Sequence, residues 1–272
     1  MICLPEFMKS CASNFAKGPP GLLKRQTVAE AVTIIDLIRN GTLTAEMAAT
    51  LWAAVDRGLS LVVVAIPRLA GKTTTTDALL SLLPPEVPVH YLSGEEAEMD
   101  SLKKAATGGY LVVGEFSYGG PSDYIWGAPV RRVFDTLTAG YSLATALHAS
   151  GLEETFDIIC RGNRVTDQAA SRIDLVLYIR RFGGSLGTFR RRLAEVHEVD
   201  YVRDGKPHGR LLYRWVEGED RFERVEAPTF LQGEVAELEA RRARLEELAK
   251  TGRRGSEDVA RVVGEHRKGA AS

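Results

Sequence analysis

The segment Leu59-Ser-Leu-Val-Val-Val-Ala-Ile-Pro-Arg-Leu-Ala-Gly-Lys-Thr-Thr-Thr-Thr-Asp-Ala-Leu-Leu80 organises the whole chain. Leu61 to Ile66 is an unbroken apolar, largely β-branched run, the pattern of a strand buried on both faces. A short loop leads to Gly71-Lys72-Thr73, and the residues beyond it read as helix as far as Leu83. Strand, loop, Gly-Lys-Thr and helix follow one another in the order of a phosphate-binding loop. Such a loop holds anions because backbone N–H groups and a helix N-terminus converge on phosphate oxygens. The expected contacts to ATP come from Ala70, Gly71, Lys72, Thr73 and Thr74, with Lys72 on the β- and γ-phosphates and the Thr73 hydroxyl on Mg²⁺. The pattern is incomplete. Ile66 stands where a first glycine belongs, and its branched side chain restricts the backbone there. The plainer alternative is a Lys-Thr helix start with Lys72 merely solvated.

Bulk properties narrow the classes. At 272 residues, with 44% apolar and 26% charged residues, the chain suits one large α/β domain with appendages. A net charge of −1 gives no overall footprint for nucleic acid. Cys3, Cys11 and Cys160 share no metal-ligand spacing, and a reduced, cytoplasmic setting is expected. The N-terminus lacks the continuous apolar core of a signal peptide, and no apolar run approaches the roughly 20 residues of a membrane helix. Any membrane link is therefore expected to go through a partner.

Along the chain, Gly18-Pro-Pro-Gly21 marks an irregular start, residues 1–26. Thr27 to Glu30 forms a capping-box pattern, with Val28, Val32, Ile35 and Ile38 on one helical face up to Gly41. A second helix is expected from Thr44 to Gly58. Past the phosphate loop, Val87 to Leu92 reads as a strand, and Glu95, Glu96 and Glu98 lie just beyond its end, where ligands of open α/β sheets bind. An acidic first helical turn explains the same residues. Tyr110 to Val113 is a third strand delivering Glu115, which could orient and deprotonate an attacking water, or be an ordinary strand-end carboxylate. Pro121 to Ala128 reads as loop, and Val130 to Gly140 as helix. Ser142 to Leu147 is a fourth strand ending at His148, either a γ-phosphate sensor or a histidine satisfied by a nearby loop. Leu152 to Arg161 reads as helix and Ile173 to Ile179 as a fifth strand. Strands separated by helices indicate a mostly parallel sheet covered on both faces, here a core over 27–188.

From Phe189 the pattern changes. Arg191 to Val199 and Arg210 to Val216 form a hairpin about Asp204-Gly205, giving a unit at 189–228. The arginines at 180, 181, 190, 191 and 192 could meet a phosphate across a subunit interface or form a solvated strand edge. His197 and His208 show no partner pattern. A long helix from Phe230, with Leu231, Val235, Leu238, Leu245 and Leu248, opens a helical tail over 229–272, and a further short helix follows at Val259 to Val263.

Together these motifs resemble the secretion-type ATPases that drive type II and IV secretion, type IV and tight-adherence pili and archaeal flagella. The resemblance rests on Gly71-Lys-Thr-Thr74, Ser93-Gly-Glu-Glu-Ala-Glu98, Val112-Val-Gly-Glu115 and Gly140-Tyr-Ser-Leu-Ala-Thr-Ala-Leu-His148, in that order. Asp174-Leu-Val-Leu-Tyr-Ile-Arg180 and Arg191 to Val199 also look like the family, as does Arg244 to Gly252 with Glu257-Asp-Val-Ala260. It implies a RecA-like P-loop fold, ATP and Mg²⁺, a hexameric ring and a membrane platform partner, with the chain itself cytoplasmic or peripheral at the inner membrane face. Glu115 would activate water, Glu95 or Glu96 would polarise water or metal, and His148 would report on the γ-phosphate. The departures are specific. Ile66, and the loop near Leu69, lack the family's glycines; Ser117 and Tyr118 replace an arginine and an aspartate; Tyr141 replaces a histidine. The arginines that precede Glu115 in relatives are missing around Ala105 and Thr107, and with only about two helices before the first strand the relatives' N-terminal domain is expected to be missing. Arginine fingers contribute about 10³- to 10⁵-fold in rate, so their loss implies slow turnover. Two readings follow: an active motor domain, or a weakened paralogue serving as a structural or regulatory subunit. A small-molecule or nucleic-acid kinase fits less well, since no lid-like arginine region follows the loop.

Overall fold

The structure is a computed structural model that describes residues 31–121, 123–183 and 189–270. In chain order its helices are α1 (Ile34–Arg39), α2 (Ala45–Asp56), α3 (Lys72–Leu80), α4 (Glu96–Ala105), α5 (Ala128–Thr136), α6 (Leu152–Phe156), α7 (Asp167–Ala170), α8 (Val235–Lys250) and α9 (Ser256–Ala270). The strands are β1 (Leu61–Val64), β2 (Val89–Tyr91), β3 (Gly109–Val112), β4 (Glu115–Phe116), β5 (Tyr124–Ile125), β6 (Tyr141–Leu147), β7 (Leu175–Phe182), β8 (Arg190–Arg203), β9 (Lys206–Val216) and β10 (Arg221–Arg224). One eight-stranded mixed sheet runs in the order β10-β9-β8-β7-β1-β6-β3-β2. From β7 to β2 the pairings are parallel, and from β7 to β10 they are antiparallel.

Every residue of β1 is buried, as its apolar run requires. Its alternating side chains feed two cores: Leu61 and Val63 face one cluster with α2, α3, α8 and α9, while Val62 and Val64 face another with α5 and α6. Layers of helix on both faces make this an α/β fold. α2 is buried from Ala45 to Val55, Glu46 excepted, because α8 covers its outer side, and small alanines let the two helices approach. Its start is capped by Thr44, whose side-chain oxygen accepts the Met47 N–H at 3.2 Å.

Several expectations need correction. The Thr27–Glu30 capping box lies outside the described residues, but Val32 is exposed and precedes the helix. α1 begins at Ile34, after Thr33, whose N–H donates to Asp36 Oδ2 at 2.9 Å; a second cap signal downstream of the first sets the boundary. Residues 121–128 are not all loop. β5 pairs with β4, so this segment braces the strand end after β3. The hairpin does not stand apart, since β8 pairs with β7 along eight positions and continues the parallel sheet. β10 adds an edge strand where no strand is legible. The last helix is long rather than short, because Val259, Val263 and His266 are buried against the rest of the chain.

Candidate functional site

Three elements end at one rim of the sheet. β1 leads into the loop 65–71, and Gly71 caps α3 in the left-handed region at φ +98°, which a glycine adopts without strain. β3 leads through Gly114 to Glu115. A Cβ on Gly114 would sit 2.2 Å from the Asp123 carboxylate, so the pairing of β4 with β5 demands glycine there. β6 ends at Leu147, and His148 follows. The register Val64↔Leu147 sets the loop and the histidine side by side.

The side chains meet. Lys72 Nζ lies 3.1 Å from Glu115 Oε2, with the two side chains only 9% and 4% exposed. His148 Nε2 is 3.3 Å from Glu115 Oε1, and Lys72 Nζ is 3.3 and 3.4 Å from the two ring nitrogens. His148 Nδ1 stands 3.0 Å from the Ile66 carbonyl; assigning it the proton leaves Nε2 to accept from Lys72. Glu115 Oε1 is buried without a hydrogen-bond donor. An acceptor in that condition is where a water or ligand proton finds its partner. Among the described residues no acceptor takes the backbone N–H groups from Leu69 to Thr74, which is the open amide cradle an anion needs. The cleft above holds about 530 Å³ and is lined by the loop, Glu115, Ser117, Tyr124, His148 and Arg191. Burial first, then the Glu115 and Asp123 carboxylates, raises the Tyr124 phenol above its ordinary range, so it stays protonated over Glu115.

Of the expected residues, Ala70, Gly71, Lys72, Thr73, Thr74, Glu115 and His148 line this one cleft. Thr73 is exposed in the first turn of α3, open to a metal or solvent. Glu95 and Glu96 are not brought there. Both are exposed, Glu95 as the residue before α4 and Glu96 beside a surface hollow with Arg131 and Arg132. Glu98 instead accepts from the Ser93 N–H and hydroxyl, both at 2.9 Å, fixing the loop before α4. Ile66 keeps an ordinary backbone, whereas Leu69 takes φ +60°; the strain of the missing glycines falls on Leu69 alone.

The arginines are the residues that sequence reasoning misplaces. β8 is an interior strand, so their run is no solvated sheet edge. Arg192 is buried, paired bidentately with Asp220, and Arg180 pairs with Glu217. Arg191 and Arg181 turn to the loop 65–71. Arg191 Nη2 donates to the Leu69 carbonyl at 3.0 Å and Arg181 Nη1 to the Arg68 carbonyl at 2.8 Å. The side chain over Gly71 is Arg191, while Leu69 points out at 81% exposure. His197 bonds Glu195 at 2.8 Å and His208 stacks on Tyr201, structural contacts that assign neither a site.

Among the described residues no cluster of three or more histidine, cysteine, aspartate or glutamate side chains could hold a metal ion, and no helix is long and apolar enough to cross a membrane. No model of a known protein family matches the chain, and no curated protein sequence does.

Proposed function

We propose that this cleft binds Mg²⁺-ATP and that the chain is a RecA-like P-loop motor domain of the secretion-ATPase type. The observation that carries the reading is the Lys72–Glu115–His148 cluster beneath a loop of unpaired amides at the end of a buried strand. Lys72 and the amides of Ala70 to Thr74 take the phosphates, and Tyr124 and Ser117 close the other wall. The Thr73 hydroxyl would hold Mg²⁺, which neutralises phosphate charge when bound. The residues fit that role: a single hydroxyl suffices where phosphates and water supply the other ligands. Glu115 accepts the proton of a water held between its free Oε1 and the loop, and His148, fixed by its Nδ1–H on the Ile66 carbonyl, accepts at Nε2. By the same resemblance the assembly is a hexameric ring, homomeric or mixed, on the cytoplasmic side of a membrane platform protein, to which turnover would pass a domain movement.

The weakened-paralogue reading has one observation of its own. Glu95 and Glu96 lie outside the cleft, leaving Glu115 as its one carboxylate among the described residues. Calorimetric titration of Mg²⁺-ATP into wild type and Lys72→Ala, with phosphate release from wild type and Glu115→Gln, decides between them. Lys72-dependent binding with Glu115-dependent release supports the motor. Binding without release supports the structural subunit, and absence of binding sinks both nucleotide readings.

A further inference from the structure

We infer that Arg181 and Arg191 are cis-acting phosphate ligands, a two-arginine clamp that recognises the terminal phosphate of a nucleoside triphosphate. The inference rests on the nucleotide reading above and adds to it the groups that would tell a triphosphate from a diphosphate. Arg181 and Arg191 are direct cross-strand partners in the β7–β8 ladder. Like charges placed opposite each other on a sheet repel, and their neighbours are neutralised: Arg180 by Glu217, Arg192 by Asp220. Among the described residues neither Arg181 nor Arg191 has a carboxylate partner. Two guanidinium groups without a carboxylate therefore stand on the same loop, each answered by a loop carbonyl and Arg181 also by the Phe189 ring, 4.2 Å from its guanidinium carbon.

Their geometry leaves donors to spare. Each guanidinium presents five N–H groups in a planar fork, a shape that matches phosphate oxygens. Each spends one hydrogen bond on a loop carbonyl, and Arg191 Nε is buried with no acceptor at all. That atom lies 3.3 Å from where a Gly71 Cβ would be, over the residue that caps α3. An anion seated on the α3 amides meets Arg191 first and Arg181 beside it. Lys72 is committed to Glu115 and so cannot neutralise a triphosphate alone. Arg191 lines the cleft itself, and Arg181 stands next to it in the ladder, on the Arg68 carbonyl at the cleft's margin.

The test compares affinities for Mg²⁺-ATP and Mg²⁺-ADP in wild type, Lys72→Ala, Arg181→Gln/Arg191→Gln and, as a control, Arg180→Gln. The clamp predicts that the double variant loses tenfold or more in ATP affinity and less for ADP, so the ATP-to-ADP preference collapses. Arg180→Gln keeps that preference. An equal loss for both nucleotides would show that the arginines merely brace the loop and would overturn the clamp. So would unchanged binding by the double variant while Lys72→Ala abolishes it, an outcome that leaves the nucleotide reading intact. If wild type binds neither nucleotide, both proposals fall together. Should the double variant not fold, phenylglyoxal modification of wild type mapped by mass spectrometry stands in. Mg²⁺-ATP is expected to protect Arg181 and Arg191 several-fold more than Mg²⁺-ADP does, and equal labelling with either nucleotide would refute the clamp.

Discussion

Lys72 and Glu115 are buried side by side, and each is the other's nearest neutralising charge. Removing one partner of such a pair costs about 3–5 kcal/mol because the survivor is left charged and desolvated. Lys72→Met is therefore expected to lower stability in urea unfolding by about that amount. Lys72→Met/Glu115→Gln is expected to recover most of it, since no lone charge remains. A double variant as unstable as the single one would show that packing, not charge, sets the cost. Leu69 offers the opposite sign. It is exposed and held at φ +60°, so Leu69→Gly loses no packing and relieves strain of about 1–2 kcal/mol, less the added freedom of the unfolded chain. A gain of up to about 1 kcal/mol in the same assay is the expected result.

Helices α2, α8 and α9 share a buried polar seam. Asp56, near the end of α2, bonds Arg241 of α8 and Arg267 of α9, while His266 bonds Glu237 at 2.7 Å and lies 4.8 Å from the Trp52 ring. A chain stopped after Gly252 loses Val259, Val263 and His266 from that seam. It is expected to melt at a lower temperature and to show red-shifted tryptophan emission as Trp52 meets water. At the start of α2, Thr44→Ala removes an N-cap and should cost about 1 kcal/mol, with Thr44→Ser close to wild type. These elements differ in how far they are legible in sequence. α2, β1, β6 and the β8–β9 hairpin declare themselves through caps, apolar runs and alternation, and the cleft residues Lys72, Glu115 and His148 through the strands that end at them. β4, β5 and β10 are too short for a period to register, being two to four residues each. The length of α9 depends on what it packs against, and its own residues give only three valines. Arg181 and Arg191 are hidden for a different reason: which strand lies beside which is a property of the sheet, and only the register brings them over the loop.

The β1, β7 and β8 strands are tied at their far end by Asp174, which accepts the Ser60 N–H at 2.7 Å. Burial, opposed by that bond and reinforced by Glu198, raises its carboxyl from 3.8 to about 6. An acid whose folded pKa exceeds its unfolded one binds more protons when folded, so its contribution to stability is present at low pH and is lost as pH rises through about 4 to 6. Asp174→Asn keeps an oxygen for Ser60 and cannot ionise. Relative to wild type it should gain stability between pH 4 and pH 7, by roughly 3 kcal/mol at most, measured by urea unfolding across that range. A difference that does not vary with pH would remove Asp174 as the cause. The Lys72–Glu115 contact has a consequence of its own at this scale. It acts as a built-in occupant: the carboxylate already sits on the ammonium that any incoming anion must win. Apparent affinity is then the intrinsic one scaled by the fraction of molecules in which the lysine has let go, so an empty cleft is not yet a receptive one.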